Sequence, residues 1–235
     1  MDVAGDVHAK IDEHVLDHLP AFARLDAETR KALIARATVR RVAADETYFE
    51  QDAEANQFLL LLEGYVRFAR ITKEGEQVVT LYVPPGELFG IAKALAHDIH
   101  HVTARAASDG LALSWPTELW DDFCARYPQF GRIGQRTVGA RMDQLQNKIV
   151  DLSTARVEQR IARALGRLVV QAGKPVSGGT EIDFPLTRQD LSELAGTTMH
   201  SVSRCLSAWE RQGILQSKRR KVVVLHPSRL QEIAA

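Results

Sequence analysis

The period of the hydrophobic pattern changes twice along this chain, and no single layer of helices or of strands satisfies all three patterns. Residues 58–115 carry short apolar runs separated by glycine and proline. In residues 138–152, apolar side chains recur every three or four positions. Residues 186–215 contain two short helical patterns on either side of Gly196. The sequence therefore predicts three successive parts and an α+β fold class.

The first part is typical of antiparallel β-structure. The segments "FLLLLEGYVRFARI", "EQVVTLYV" and "HVTARAASDGLALSW" are separated by turn-forming residues, and Gly64, Gly75 and Gly86 recur at intervals of 11. This spacing indicates a β-sandwich, jelly roll or barrel. A short helix capped by Asp26 precedes it. We expect a mostly β domain over residues 1–125.

A long amphipathic helix is predicted over residues 126–153. Its apolar residues follow spacings of 4, 3, 4 and 3, which is a heptad pattern: Val138, Met142, Leu145, Ile149 and Leu152. Such a stripe suits a helix that pairs with its twin across a dimer axis. The alternative is that the stripe packs on its own β-domain. The location between two different patterns favours the homodimer.

The third part, residues 154–235, begins with a helical pattern and a Gly- and Pro-containing segment, "QAGKPVSGGTEIDF", which we interpret as a loop joining short elements. Thr187 and Asp190 then form a capping-box pattern that starts a helix ending at Gly196. Thr197 or Thr198 caps a second helix, on which the apolar residues occupy one face. A short helix, a glycine turn and a longer helix with a polar amino-terminal face are typical of a helix-turn-helix.

Beyond this motif, "GILQSKRRKVVVL" predicts a β-hairpin with four consecutive cations at its tip, the wing of a winged helix. A charge run is usually a solvated turn, but next to a helix-turn-helix it favours phosphate contact. The candidate DNA-binding residues are Arg188, Gln189, Thr198, Met199, His200, Ser203, Arg204, Lys218, Arg219 and Arg220.

Composition and charge narrow the function classes. With 45% hydrophobic and 26% charged residues, the chain is an ordinary globular protein, and the start "MDVAGDVHAK" lacks the order of a signal peptide, so we expect a cytoplasmic protein without membrane association. The net charge of zero conceals an asymmetry, because residues 1–117 contain 12 Lys and Arg against 18 Asp and Glu, and residues 118–235 contain 18 Lys and Arg against 12 Asp and Glu.

Two cysteines cannot supply the four thiolates of an iron–sulfur cluster from one chain. No convergent catalytic set accompanies the histidines near residue 100, so an enzyme is not expected.

These motifs resemble the superfamily of the cAMP receptor protein and the fumarate–nitrate reductase regulator. The segment "FLLLLEGYVRFARITKEGEQVVTLYVPPGELFG" is similar to the family's β-roll, a jelly roll of the cyclic-nucleotide-binding type, and "LTRQDLSELAGTTMHSVSRCLSAWERQGIL" is similar to its DNA-reading motif. The resemblance implies a homodimeric transcription regulator that binds double-stranded DNA at a palindromic operator. It also implies contact with RNA polymerase if the protein is an activator.

The sequence departs from the cyclic-nucleotide-binding members of this family. Where they carry a ribose-binding Glu and a phosphate-binding Arg-Ser pair, this chain has Ile91 and then His101-Val102. Burial of a phosphate without its arginine is unfavourable, so we expect an effector other than cAMP. The candidate effector pocket consists of Phe89, Gly90, Ile91, His101 and Leu145.

The motif "ELAGTTMHSVSRCLSAWE" resembles the regulators of nitrogen-oxide respiration, some of which are proposed to sense nitric oxide through haem. Neutral imidazole is a common haem ligand, so the histidines of "IAKALAHDIHHVTARA", His97, His100 and His101, are candidate haem ligands. The alternatives are an unknown small molecule, constitutive DNA binding, or a solvated loop whose histidines bind nothing.

Overall fold

The computed structural model describes residues 13–19 and 21–235. Residues 1–10, on which the expectation of no signal peptide depends, lie outside this range. The chain divides into two compact units, the first ending at Ile71 and resuming over Tyr82–Met142, the second comprising Thr72–Leu81 and Asp143–Ala235. Among the described residues, no helix is both long and apolar enough to cross a membrane.

The elements up to the end of the long helix are mostly short strands. Two 3₁₀ turns span Glu13–Leu16 and Ala92–Leu95. The strands are β1 (Thr38–Val42), β2 (Thr47–Phe49), β3 (Gln57–Glu63), β4 (Val66–Ile71), β5 (Gln77–Val83), β6 (Leu88–Phe89), β7 (Thr103–Ala106) and β8 (Gly110–Pro116). The helices are α1 (Ala27–Ala35), α2 (Leu119–Arg126) and α3 (Pro128–Thr154). Asp26 caps α1 by accepting a hydrogen bond from the Thr29 amide, as predicted.

The strands form two four-stranded sheets, in the orders β1-β8-β3-β6 and β2-β7-β4-β5, and the registered pairs are antiparallel. Gly64, Gly75 and Gly86 all have positive φ values, between 82° and 88°, which L side chains rarely adopt. At Gly64 a side chain would also collide with the backbone carbonyl of Asp109. The antiparallel β domain expected from the turn spacing is confirmed, and it is the β-roll that the family resemblance implies.

An aromatic cluster joins the roll to the start of α3. Phe58 stacks on Trp115 at 5.3 Å between ring centroids, and Phe130 of α3 lies 6.0 Å from Phe58. The Trp115 indole N–H donates to the Leu33 carbonyl at 2.8 Å, so its polar atom is satisfied inside the core. Offset and edge-on rings bury large apolar areas, and this cluster fixes the direction in which α3 begins.

The remaining elements form the second domain. They are α4 (Val157–Ala172), β9 (Gly173–Val176), β10 (Gly179–Ile182), α5 (Arg188–Ala195), α6 (Met199–Arg211), β11 (Leu215–Lys218), β12 (Lys221–Val224) and α7 (Pro227–Ala234). The strands form one sheet in the order β11-β12-β10-β9. The interpretation of residues 171–184 as a loop is therefore wrong. β9 and β10 are four-residue strands, and β9 lies at the sheet edge with mostly exposed residues, so no hydrophobic alternation marks them.

An ionic network connects the end of α3 to α4. The buried Asp151 carboxylate accepts from Arg163 at 2.6 Å and from Arg167 at 3.1 Å. Arg163 also donates to the Ala234 carbonyl at 2.7 Å. Because the carboxylate is buried, the two guanidinium groups offset its desolvation and fix the position of α4 relative to the last turn of α3.

Candidate DNA-binding interface and effector site

The first helix of the helix-turn-helix is α5. The Thr187 hydroxyl accepts from the Asp190 amide at 3.0 Å, and the Asp190 carboxylate accepts from the Thr187 amide at 3.0 Å, so the predicted capping box is confirmed. The helix ends at Gly196, whose φ of 59° lies in the left-handed region. Arg188 and Gln189 are exposed in its first turn.

The second helix, α6, is capped by Thr198, whose hydroxyl accepts from the Ser201 amide at 3.2 Å. Its buried face consists of Val202, Cys205, Leu206 and Trp209. Met199, His200 and Arg204 are exposed and Ser203 is half-buried. The amino-terminal turns of α6 thus present side chains of the types that read base edges.

The wing is the β11–β12 hairpin, in which Lys218 pairs directly with Lys221. Arg219 and Arg220 at its tip have φ values of 50° and 67° and are exposed. The Leu186 amide donates to the Arg220 carbonyl at 2.8 Å, which attaches the wing to the segment that opens the helix-turn-helix. A cleft of about 200 Å³ lies here, lined by Thr187 and Arg188 on one side and by the wing turn on the other.

The residues predicted for the effector pocket have different environments. Phe89, Gly90 and Ile91 are buried in the first unit. His101 is exposed, and Leu145, in the second unit, is also exposed. The structure thus groups three of the five in the roll interior.

The three candidate haem ligands are not equivalent. His97 and His101 are exposed and lie edge to face, 4.4 Å apart. His100 is only 4% exposed, and its ring stacks on Phe49 with 3.7 Å between centroids. Burial, and to a lesser extent His101, lowers the pKa of His100 to about 4, so its imidazole is neutral at pH 7. Within the described residues, no group of three His, Cys, Asp or Glu side chains could hold a metal ion.

Sequence reasoning missed Arg141, which faces the roll from α3. Its Nη2 donates to the Leu88 carbonyl at 2.5 Å, and its guanidinium lies 5.3 Å from the centroid of Phe68. Burial lowers the pKa of Arg141 to about 10, and the nearby Glu87 partly opposes this shift. The heptad pattern marks only the apolar stripe of α3, so it carries no signal for an arginine on another face of the helix.

The predicted heptad stripe is largely uncovered. Met142, Leu145, Ile149 and Leu152 are 53%, 46%, 64% and 47% exposed, whereas Val138 packs against the core of the first unit. Val150, which the pattern did not include, is exposed beside them. A helix that exposes so many large apolar side chains is typical of an interaction surface.

Two family models match this chain in succession. Residues 39–127 match the model of the cyclic nucleotide-binding domain, and residues 159–233 match the Crp-like helix-turn-helix domain. The fumarate and nitrate reduction regulatory protein of Vibrio cholerae serotype O1 is 25% identical over 186 residues, which are 79% of this chain and 74% of that protein. The Escherichia coli K12 protein of that description is 23% identical, over 80% of this chain and 75% of its own.

Among solved structures, FixK2 from Bradyrhizobium japonicum superposes with a TM-score of 0.74 at 23% identity, covering 85% of this chain and 98% of that one. At that identity the likeness concerns the fold. A nucleotide-binding-type β-roll, a long helix and a basic winged helix together define a DNA-binding transcription regulator. Both domain matches and the curated relatives agree, and the chain belongs to the Crp/Fnr family. Members of this family bind DNA as dimers and are regulators, not enzymes.

Proposed function

We propose that this regulator binds, as a homodimer, a two-fold symmetric DNA site whose half-sites lie about one helical turn apart. A symmetric dimer presents two copies of α6 to successive major grooves on one face of the duplex. The observation that carries the proposal is that α6 exposes a polar amino-terminal face, while the wing turn of the same domain exposes its cations.

The side chains of α6 have distinct roles in this proposal. Arg204 binds a guanine through its O6 and N7 acceptors, and His200 and Ser203 read adjacent positions. Met199 contacts a thymine methyl group. The remaining candidates, Arg188, Gln189, Thr198, Lys218, Arg219 and Arg220, contact the phosphate backbone and fix the register.

The experiment compares Arg204→Ala with Arg211→Ala, which removes the same charge from an exposed arginine at the other end of α6. Arg204→Ala should weaken binding to the operator by about 1–3 kcal/mol and relax discrimination at one base pair. Arg211→Ala should leave base preference unchanged. Fluorescence anisotropy with a set of single-base operator variants measures both effects. If the Arg204→Ala protein keeps wild-type base preference, the assignment of Arg204 is wrong.

The arrangement of domains completes the proposal. The effector-sensing domain comprises residues 1–125, the dimerisation helix 126–153 and the DNA-binding domain 154–235. The exposed stripe on α3 supports pairing with a second copy of the chain. If the regulator is an activator, RNA polymerase is its further partner.

The effector in this proposal is a small molecule other than cAMP, since the usual phosphate-binding arginine is replaced by histidine in this sequence. Constitutive DNA binding is the alternative. Haem, the candidate cofactor for sensing nitric oxide, does not fit the environments of the three candidate histidine ligands. His97 and His101 are exposed, and the Nε2 atom of His100 is enclosed beside Phe49.

We therefore expect that titration with haem yields no stoichiometric Soret band and that operator affinity does not respond to nitric oxide. The Soret band is measured in absorption spectra of anaerobically purified protein treated with haem. A stoichiometric band that disappears in one of the variants His97→Ala, His100→Ala or His101→Ala would restore haem as the cofactor and identify its ligand.

A further inference from the structure

We propose that Glu193 is a positioning residue for Gln189: its carboxylate orients the Gln189 side chain for contact with a DNA phosphate and is itself held by the backbone of β5. This inference rests on the proposed function, which gives Gln189 a contact with the phosphate backbone. It adds to the DNA-binding apparatus one residue that does not touch DNA and one strand of the β-roll sheet.

The carboxylate of Glu193 is divided between two partners. The Val79 amide donates to Glu193 Oε2 at 2.7 Å, and the Gln189 side chain donates through Nε2 to Glu193 Oε1, also at 2.7 Å. Glu193 is half-buried, whereas Gln189, one helical turn earlier on α5, is exposed. Hydrogen bonds to an ionised acceptor are about twice as strong as those between neutral groups. Each oxygen of the carboxylate is therefore fixed by its own partner.

Val79 lies on a strand edge that needs such a partner. β5 is the last strand in the sheet order β2-β7-β4-β5, and Val79 is completely buried. Backbone groups on the outer side of an edge strand have no neighbouring strand to pair with, and a buried amide without a partner is unfavourable. The Glu193 carboxylate takes the place that a carbonyl of a further strand would occupy. Its position is thus set by backbone atoms of β5.

Lys148 completes this contact from α3. Its Nζ lies 3.4 Å from the Val79 carbonyl and 3.4 Å from the Glu193 carbonyl, which is near the carboxyl end of α5. A cation at that end of a helix is favourable. Burial, and after it Arg167, lowers the pKa of Lys148, whereas the charge of Glu193 opposes this shift. Lys148, Val79 and Glu193 all belong to the second unit.

The contact with Glu193 determines which atoms Gln189 offers to a ligand. An ionised carboxylate only accepts hydrogen bonds, so the nitrogen of the Gln189 amide, and not its oxygen, faces Glu193. One of the two hydrogens on Nε2 is used there, and the second remains for another acceptor. A phosphate oxygen is such an acceptor. Without Glu193 the amide could turn over and change rotamer, and ordering it on DNA would cost conformational entropy.

The test is a double-mutant cycle on the full chain, with duplex DNA of arbitrary sequence, because a phosphate contact does not depend on the bases. Gln189→Ala should weaken binding about fivefold in the wild-type background, but less than about twofold when Glu193→Ala is already present. The direct effect of the Glu193 charge on DNA cancels in this comparison. A pair that only supports the helix would leave the effect of Gln189→Ala on affinity unchanged. Fluorescence anisotropy measures the four affinities.

The matched control is Glu158→Ala, which removes a carboxylate that accepts from the Trp209 indole at 3.0 Å. In that background, Gln189→Ala should again weaken binding about fivefold. Hydrogen exchange supplies a readout without DNA, since the Val79 amide should lose protection in Glu193→Ala and keep it in Glu158→Ala.

An equal effect of Gln189→Ala with and without Glu193 overturns the inference, and so does a Val79 amide that exchanges at the same rate in the wild type and in Glu193→Ala. If Glu193→Ala does not fold, Glu193→Gln replaces it in the cycle, because an amide has one acceptor oxygen and cannot serve both partners. Binding to a symmetric operator is measured in parallel. A coupled cycle in a protein that binds all duplexes alike contradicts the proposed function and not this inference. An additive cycle in a protein that prefers the symmetric operator contradicts only the inference.

Discussion

At the scale of single residues, His100 shows how a polar side chain is held in an apolar core. The ring stacks on Phe49, and backbone hydrogen bonds on both sides of the residue hold the segment. Because burial lowers its pKa to about 4, the folded protein keeps this imidazole neutral where an unfolded chain would protonate it.

This difference predicts a pH dependence of stability. At His100, the unfolded chain takes up a proton as the pH falls through about 6.5, whereas the folded protein does so only near 4. The contribution of His100 to the free energy of unfolding is therefore at its maximum above pH 6.5 and decreases between pH 6.5 and pH 4. At about 1.4 kcal/mol per pKa unit, the loss is on the order of 3 kcal/mol. Urea unfolding at a series of pH values measures it.

The variant His100→Leu removes the titrating group. Its stability at pH 7 is lower because the stacking contact is changed, but the contribution of this residue to the slope between pH 6.5 and 4 should disappear. A slope as steep in the variant as in the wild type would assign the pH dependence to other groups.

At the scale of elements, the wing turn places two arginines where asparagine and glycine are preferred. Arg219 and Arg220 both have positive φ values, as in a type I′ hairpin turn. A left-handed conformation costs a residue with a side chain roughly 1 kcal/mol. The presence of two arginines at these strained positions is consistent with a function that requires their charge.

The double variant Arg219→Asn, Arg220→Gly should relieve this strain. We expect the free energy of unfolding to rise by about 1 kcal/mol while affinity for DNA of any sequence falls, because two phosphate contacts are lost. Urea unfolding and anisotropy at several salt concentrations measure the two effects. The control Arg219→Lys, Arg220→Lys keeps both charge and strain, so neither quantity should change much. A stabilised double variant with undiminished affinity would show that the wing tip does not contact DNA.

At the scale of the whole molecule, the uncovered stripe on α3 favours an oligomer. The apolar side chains of Met142, Leu145, Ile149 and Leu152 recur at heptad spacing and remain about half exposed in the single chain. In the proposed dimer, a second copy of the helix would cover them by knobs-into-holes packing.

The double variant Leu145→Asp, Ile149→Asp should dissociate the dimer, because two charges per chain would enter a desolvated seam. Sedimentation velocity measures the change of mass. The matched control is Val170→Asp, which introduces the same side chain at an apolar residue of α4 that is 88% exposed and outside the stripe. If the double variant still sediments as a dimer, the interface lies elsewhere.

Local signals predicted much of this molecule, and tertiary environment determined the rest. The glycine turns of the roll, the Thr187–Asp190 capping box and the two helices around Gly196 are encoded within a few residues of each other, so the sequence alone predicts them. The β9–β10 hairpin was missed because each strand has only four residues and β9, at the sheet edge, is mostly exposed. Arg141 and the burial of His100 depend on contacts between residues distant in sequence, such as Arg141 with Phe68 and His100 with Phe49, which no local pattern contains.

The hydrogen bond from the Leu186 amide to the Arg220 carbonyl has a geometric consequence. Leu186 leads directly into the capped start of α5, so the wing tip and the helix-turn-helix share one rigid frame within the domain. We therefore expect the wing to keep the same position relative to the start of α5 with and without DNA. On binding, it is then the DNA duplex, and not the protein domain, that has to change its groove geometry to fit.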